Sequence, residues 1–264
     1  MSFLDLTRVE PTGQPGSYTV EVPDGWQQGA GAFGGFVLAC LVRGLETTVP
    51  GRALRSLTAE IAAPVMVGKG EISAVVLRAG QSVTVVAARL TQGPELRAHA
   101  VAVLGAPRPV SRDLDHVDLT APAASRWQDT PLAAPGVRTP PPFTQHFDMR
   151  LVDGHPVSGS VARTTGWVKL RDPGPAHDAA LVVAHVDAWY PAEFARLPEL
   201  RPMVTSAFTM QIVGGAGVWT LGTPLLHTSR TLAAHEGYVV EARELWTAEG
   251  KLVALNQQTL VMVK

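Results

Sequence analysis

The alternation of apolar and polar residues divides the chain into two stretches that follow the same order. In the first, Tyr18 to Val22 alternates as a short strand, and Pro23-Asp24-Gly25 reads as a turn. Gly29 to Gly35 then leads into Phe36 to Glu46, where Leu38, Leu41, Val42 and Leu45 fall at the i, i+3, i+4, i+7 spacing of one helix face. After Pro50-Gly51 the period becomes that of strands, at Ala53 to Ala63, Glu71 to Arg78, Ser82 to Thr91 and Glu95 to Leu104. Short glycine-bearing turns at Gly68-Lys69-Gly70, Ala79-Gly80-Gln81 and Gln92-Gly93-Pro94 join the four.

The second stretch repeats the plan. Gly159 to Leu170 reads as a strand, and Asp178 as the N-cap of a helix through Ala188 that Pro191 helps to stop. Strands follow at Met203 to Val213, Thr223 to Leu232, Gly237 to Trp246 and Leu252 to Val263. The final hairpins overlay: Ala87 to Ala98 corresponds to Glu241 to Ala254, which sets Ala102 opposite Gln258. One helix over about four strands hides its apolar faces poorly alone. The expected fold is therefore α+β, two tandem helix-plus-antiparallel-sheet units joined edge to edge into one sheet. The expected division is an N-terminal unit at 1–105, a Pro-rich linker at 106–142 lying over the surface, and a C-terminal unit at 143–264.

Composition narrows the function. Hydrophobic residues make up 46% of the 264 and charged residues 17%, enough for a proper core. The net charge of −1 and the lack of a basic stripe argue against a nucleic-acid partner. No apolar run reaches the roughly 20 residues of a membrane span, so no membrane insertion is expected. Cys40, the single cysteine, excludes an intramolecular disulfide and a cysteine-based metal cluster. The start of the chain lacks a signal-peptide pattern, and the expectation is a cytoplasmic protein. There is no Gly-x-Ser-x-Gly, and the eight histidines show no ligand spacing, so neither a metal nor a cofactor is expected.

Several pieces resemble the acyl-CoA thioesterase II type of double-hotdog thioesterase. In the first half these are Phe33-Gly34-Gly35 before the helix, Ala62-Ala63-Pro64-Val65 and Leu77-Arg78-Ala79-Gly80-Gln81-Ser82. In the second they are Ala184-His185-Val186-Asp187, the strand from Thr205 to Ile212, and Leu252-Val253-Ala254 with Gln258 four residues on. The resemblance implies a double-hotdog fold and acyl-CoA hydrolysis without a metal or cofactor. It also implies an Asp–Thr–Gln set, here Asp187, Thr205 and Gln258, that fixes a water. The pattern departs in two places: Gln81 stands where an Arg is common, and Thr259-Leu260 follow Gln258.

Each residue also has a plainer reading. Asp187 has Val183, Ala184, Tyr190 and Pro191 as helical neighbours, and burial on that apolar face would raise its pKa and suit a base. Residue type alone favours a helix-end carboxylate that faces solvent or caps a neighbouring turn; the resemblance reverses that preference. Thr205 is a common strand residue in its own right. Gln258 shares its strand face with Leu260 and Met262, and an interior amide needs partners. Gly34 and Gly35 either offer backbone N–H groups to a thioester oxygen or allow close helix–sheet packing. Trp26, Trp189, Tyr190 and Trp219 read as core in preference to an acyl channel. The first-half helix carries Arg43 and no acid before Glu46, so one site per chain is expected, in or near the second half.

The leading expectation is hydrolysis of acyl-CoA or a related acyl thioester by water activated on Asp187, with an anhydride through Asp187 as the variant. A non-catalytic acyl-CoA-binding protein is the second reading. A hydratase using Asp172 and His177 is the third. A homo-oligomer is compatible with all three.

Overall fold

The computed structural model describes residues 1–108, 116–132, 140–175, 177–214 and 218–263. The linker expected at 106–142 therefore lies partly outside the described residues. Twelve strands form one antiparallel sheet: β1 Glu10–Pro11, β2 Ser17–Val22, β3 Ala53–Ile61, β4 Gly68–Ala79, β5 Val83–Gln92, β6 Glu95–Gly105, β7 Phe147–Asp153, β8 Arg163–Leu170, β9 Met203–Ile212, β10 Leu225–His235, β11 Tyr238–Trp246 and β12 Leu252–Met262. The two longest helices among the described residues are α1 Gly34–Thr48 and α2 Ala179–Asp187.

The spatial order is β1-β2-β4-β5-β6-β3-β9-β12-β11-β10-β8-β7. From the central β3–β9 seam outward, the first half runs β3, β6, β5, β4, β2, β1 and the second runs β9, β12, β11, β10, β8, β7. The second half thus repeats the first about a pseudo-twofold at the seam, where Phe208 pairs with Ala59 and Met210 with Leu57. The bulges match too. The β3–β6 register slips between Leu54 and Ser56 and the β9–β12 register between Thr205 and Ala207. The β4–β5 slip at Val76/Arg78 has its counterpart in β10–β11 at Thr231/Ala233. A bulge is a built feature of a strand, so two coincident pairs are strong support for duplication. With Val86 paired to Ala102 and Glu241 paired to Gln258, the ladders agree with the hairpin alignment at Ala102 and Gln258 but shift the preceding strand by one residue, setting Glu241 opposite Val86 instead of Ala87.

α1 is apolar around most of its girth, so it is the buried helix, with Phe36 to Val42 and Leu45 out of solvent. Gly44 lets it settle on β4, since a Cβ there would lie 2.8 Å from Cγ2 of Ile72. α2 starts as expected: the Asp178 side chain accepts the Leu181 N–H at 3.1 Å. The helices pack antiparallel. Arg43 of α1 pairs with Asp178 at the start of α2, and the start of α1 meets Asp187 at the end of α2.

The outer face of the second half carries Trp167, Leu226, Trp246 and Leu252. Ala121, Ala124 and Trp127, from the segment between the halves, cover them. Trp167 Nε1 donates to the Ser125 carbonyl at 2.8 Å. The sheet differs from expectation at its edges and in two strand bounds. β1 and β7 are unforeseen edge strands, β8 begins at Arg163 instead of Gly159, and β10 runs on to His235.

Candidate active site

Asp187 is the last residue of α2, 7% exposed, and the start of α1 lies over it. The crowding explains Gly34 locally. A Cβ on Gly34 would sit 2.7 Å from Asp187 Oδ2, and one on Gly35 would sit 3.1 Å from Asp187 Cβ and run into the Phe33 ring. The Gly35 backbone N–H faces the carboxylate and favours its charged form. The two glycines therefore make room for the acid, which is the packing reading.

Gln258 projects from β12 on the same side as the helices and is 1% exposed, while its neighbour Gln257 faces solvent. Gln258 Nε2 donates to Asp187 Oδ1 at 3.0 Å. Its Oε1 accepts the Thr205 hydroxyl proton at 3.0 Å. The three side chains, from three elements and spread over 71 positions of sequence, form one chain: Thr205 to Gln258 to Asp187. The Thr205 bond fixes which way the amide points, and the amide in turn aims a donor at the acid. The bulge at Ser206 accompanies this geometry, since it shifts Thr205 relative to β12.

Burial pushes the Asp187 carboxyl above the ordinary carboxylate range; Arg243, the Gln258 amide and the Gly35 N–H pull the other way. Arg243 Nη1 stands 3.8 Å from Asp187 Oδ1 and donates to the Val186 carbonyl at 3.1 Å. Its Nε donates to Glu241 Oε1 at 2.7 Å. Glu241 Oε2 in turn accepts the Ala192 N–H at 2.6 Å.

Sequence reasoning passed over Glu241 and Arg243. Two opposite charges two residues apart on a strand share one face, but such a face reads equally as a solvated one. His185 is a buried packing residue, taking the Leu170 N–H at Nε2 (3.3 Å) and facing the Leu181 carbonyl at Nδ1 (2.8 Å).

The four aromatics are mostly core. Trp26, Trp189 and Trp219 are buried, and Tyr190 donates to the Gly154 carbonyl at 3.1 Å. Asp172 and His177 show no catalytic pairing. The Asp172 carbonyl holds the Phe3 N–H, and the His177 ring stands edge-on to Trp219 at 4.4 Å. Two grooves, about 740 and 270 Å³, lie on β8, β10 and their surroundings and include none of Asp187, Thr205 or Gln258. Among the described residues no three His, Cys, Asp or Glu gather as a metal-binding set.

The second half has polar side chains where the first has apolar ones. The positions of Thr205, Glu241, Arg243 and Gln258 correspond to Leu54, Val86, Ala88 and Ala102, all in the hydrophobic core. The doubled sheet and buried helix pair are those of hotdog-fold proteins. A hot dog fold protein from Alicyclobacillus acidocaldarius is 26% identical with a TM-score of 0.88, over 99% of this chain and 98% of that one. An acyl-CoA thioesterase II, TesB2, from Mycobacterium marinum is 20% identical with a TM-score of 0.78, over 99% and 98%. The tesB protein of Mycobacterium avium subs paratuberculosis is 14% identical with a TM-score of 0.81, over the same shares. A search of curated proteins gives no match.

The family profile for the acyl-CoA thioesterase N-terminal domain matches residues 22–105, and that for the C-terminal domain matches residues 116–262. The chain belongs to the acyl-CoA thioesterase family.

Proposed function

We propose that the protein hydrolyses fatty acyl-CoA or a related acyl thioester in the cytoplasm, using a water activated by Asp187. The observation that carries this reading is the buried chain from Thr205 through Gln258 to Asp187, which ends on an acid of raised pKa beside a helix start. Such an acid is a better base than an ordinary carboxylate. Asp187 takes a proton from water as the oxygen attacks the thioester carbonyl. The oxyanion is met by N–H groups at the start of α1, Gly34 foremost because the Gly35 N–H already serves Asp187. Collapse breaks the C–S bond, and the Asp187 proton passes to the departing thiolate. The products are a carboxylic acid and a free thiol.

A panel of acyl-CoAs followed by thiol release tests the reading. Asp187→Asn should lower kcat by about 10²- to 10⁴-fold, with the wild-type rate rising with pH through a limb above the usual carboxylate range. Thr205→Val and Gln258→Leu should cost less. Equal rates for wild type and Asp187→Asn would end the assignment.

A further inference from the structure

Three ionisable side chains meet under the end of α2, and only Asp187 has a part in the proposed reaction. Glu241 and Arg243 lie two residues apart on β11, so both point toward the helices. They are 0% and 3% exposed. Glu241 sits in the ladder row of Gln258, and Arg243 in the row of Asn256.

The guanidinium is shared unequally. It makes a full charge-assisted bond to Glu241 at 2.7 Å, yet stays 3.8 Å from Asp187 Oδ1, beyond hydrogen-bond range. Its Nη1 is held by the Val186 carbonyl at 3.1 Å and lies 3.5 Å from that of Asp187. Glu241 is itself anchored by the Ala192 N–H, just past the end of α2. Two buried carboxylates and one cation leave a negative charge incompletely balanced, and the less closely paired acid holds a proton more readily. A guanidinium free to close on Asp187 would instead fix it in its ionised form and make it a poor base.

We propose that Glu241 and Arg243 act as positioning residues that tune Asp187: Arg243 steadies the acid and its helix end, while Glu241 draws the cation away so that Asp187 stays basic. The inference rests on Asp187 being the base.

The other groups packed around Asp187 do not supply this charge. α1 presents Gly34 and Gly35, and β12 presents the neutral Gln258 and Asn256. β10 presents His227, fully buried and held well below its usual pKa by burial and by Arg243, hence uncharged. His185, on α2 itself, is pushed down to about 4 by burial.

The test follows the Asp187 carboxyl by ¹³C NMR against pH without substrate, assigned by the resonance lost in Asp187→Asn. The pH profile of thiol release is measured alongside. Glu241→Gln should move the Asp187 midpoint and the acid limb of the rate down by about one pH unit, because the cation can then close on Asp187. Arg243→Met should move both up by about one to three. Arg243→Lys, which keeps the charge, should restore most of the difference and covers the case in which Arg243→Met does not fold.

The opposite directions are the signature; a purely structural role lowers the rates and leaves the midpoints in place. Unmoved midpoints, or two that move the same way, overturn the inference even when wild type releases thiol. If wild type releases thiol from no acyl-CoA, the hydrolytic reading fails, and the NMR midpoints still decide the pair.

Discussion

His185 gives the buried site a pH signature that is independent of turnover. Its folded pKa of about 4 lies below the unfolded value near 6.5, so between those limits the unfolded chain binds the proton more readily. Stability is lost as pH falls through that window. Denaturant unfolding at pH 7 and at pH 4.5 should show His185 contributing a loss of about 2–3 kcal/mol, and His185→Gln should flatten the slope. An unchanged slope in that variant would refute the assignment. Asp187, with its raised pKa, acts in the opposite sense, favouring the fold at low pH.

Gly34→Ala tests the crowding at the acid. Alanine improves helix propensity by about 1 kcal/mol, but its methyl would meet Asp187 Oδ2. Turnover should fall by about tenfold or more with the melting temperature little changed; an undiminished kcat would show that the carboxylate has room to move. Gln258 was legible in the sequence because an amide on an apolar strand face demands partners. Glu241 and Arg243 were not, because strand charges usually belong to a solvated face.

The seam strands β3 and β9 join the two copies edge to edge. Leu57 on β3 is fully buried and faces Met210 across the seam. Leu57→Ala should cost about 2–5 kcal/mol, read by chemical denaturation as one cooperative transition displaced as a whole. A separate, earlier transition for one half would show that the seam does not couple them. The elements with strong periodicity were legible: α1, α2 and the strands near the seam stand where the pattern puts them, within a few residues at their ends. β7 was not. At a sheet edge its residues are mostly half-buried, so Phe147 to Asp153 shows neither a clean alternation nor an apolar run. Gly159 to Ala162 continue the pattern of β8 with small residues, but the strand begins at Arg163.

Across the molecule, duplication was legible in the order of elements and only faintly in residue identities. Packing constrains strand length and register, whereas many apolar side chains can fill the same volume. The matched bulges were not legible, because a one-residue slip leaves no distinctive residue type at Arg55 and Ser206 or at Leu77 and Leu232.

The coincident bulges also give each inner-facing position a partner of known identity in the other copy. Substitutions at Leu54, Val86, Ala88 and Ala102 disturb oil-like contacts and should register as heat sensitivity. Substitutions at Thr205, Glu241, Arg243 and Gln258 disturb charges and amides at the acid and should register as lost chemistry. One ancestral blueprint thus carries an oily interior in its first copy and a buried set of charges and amides in its second.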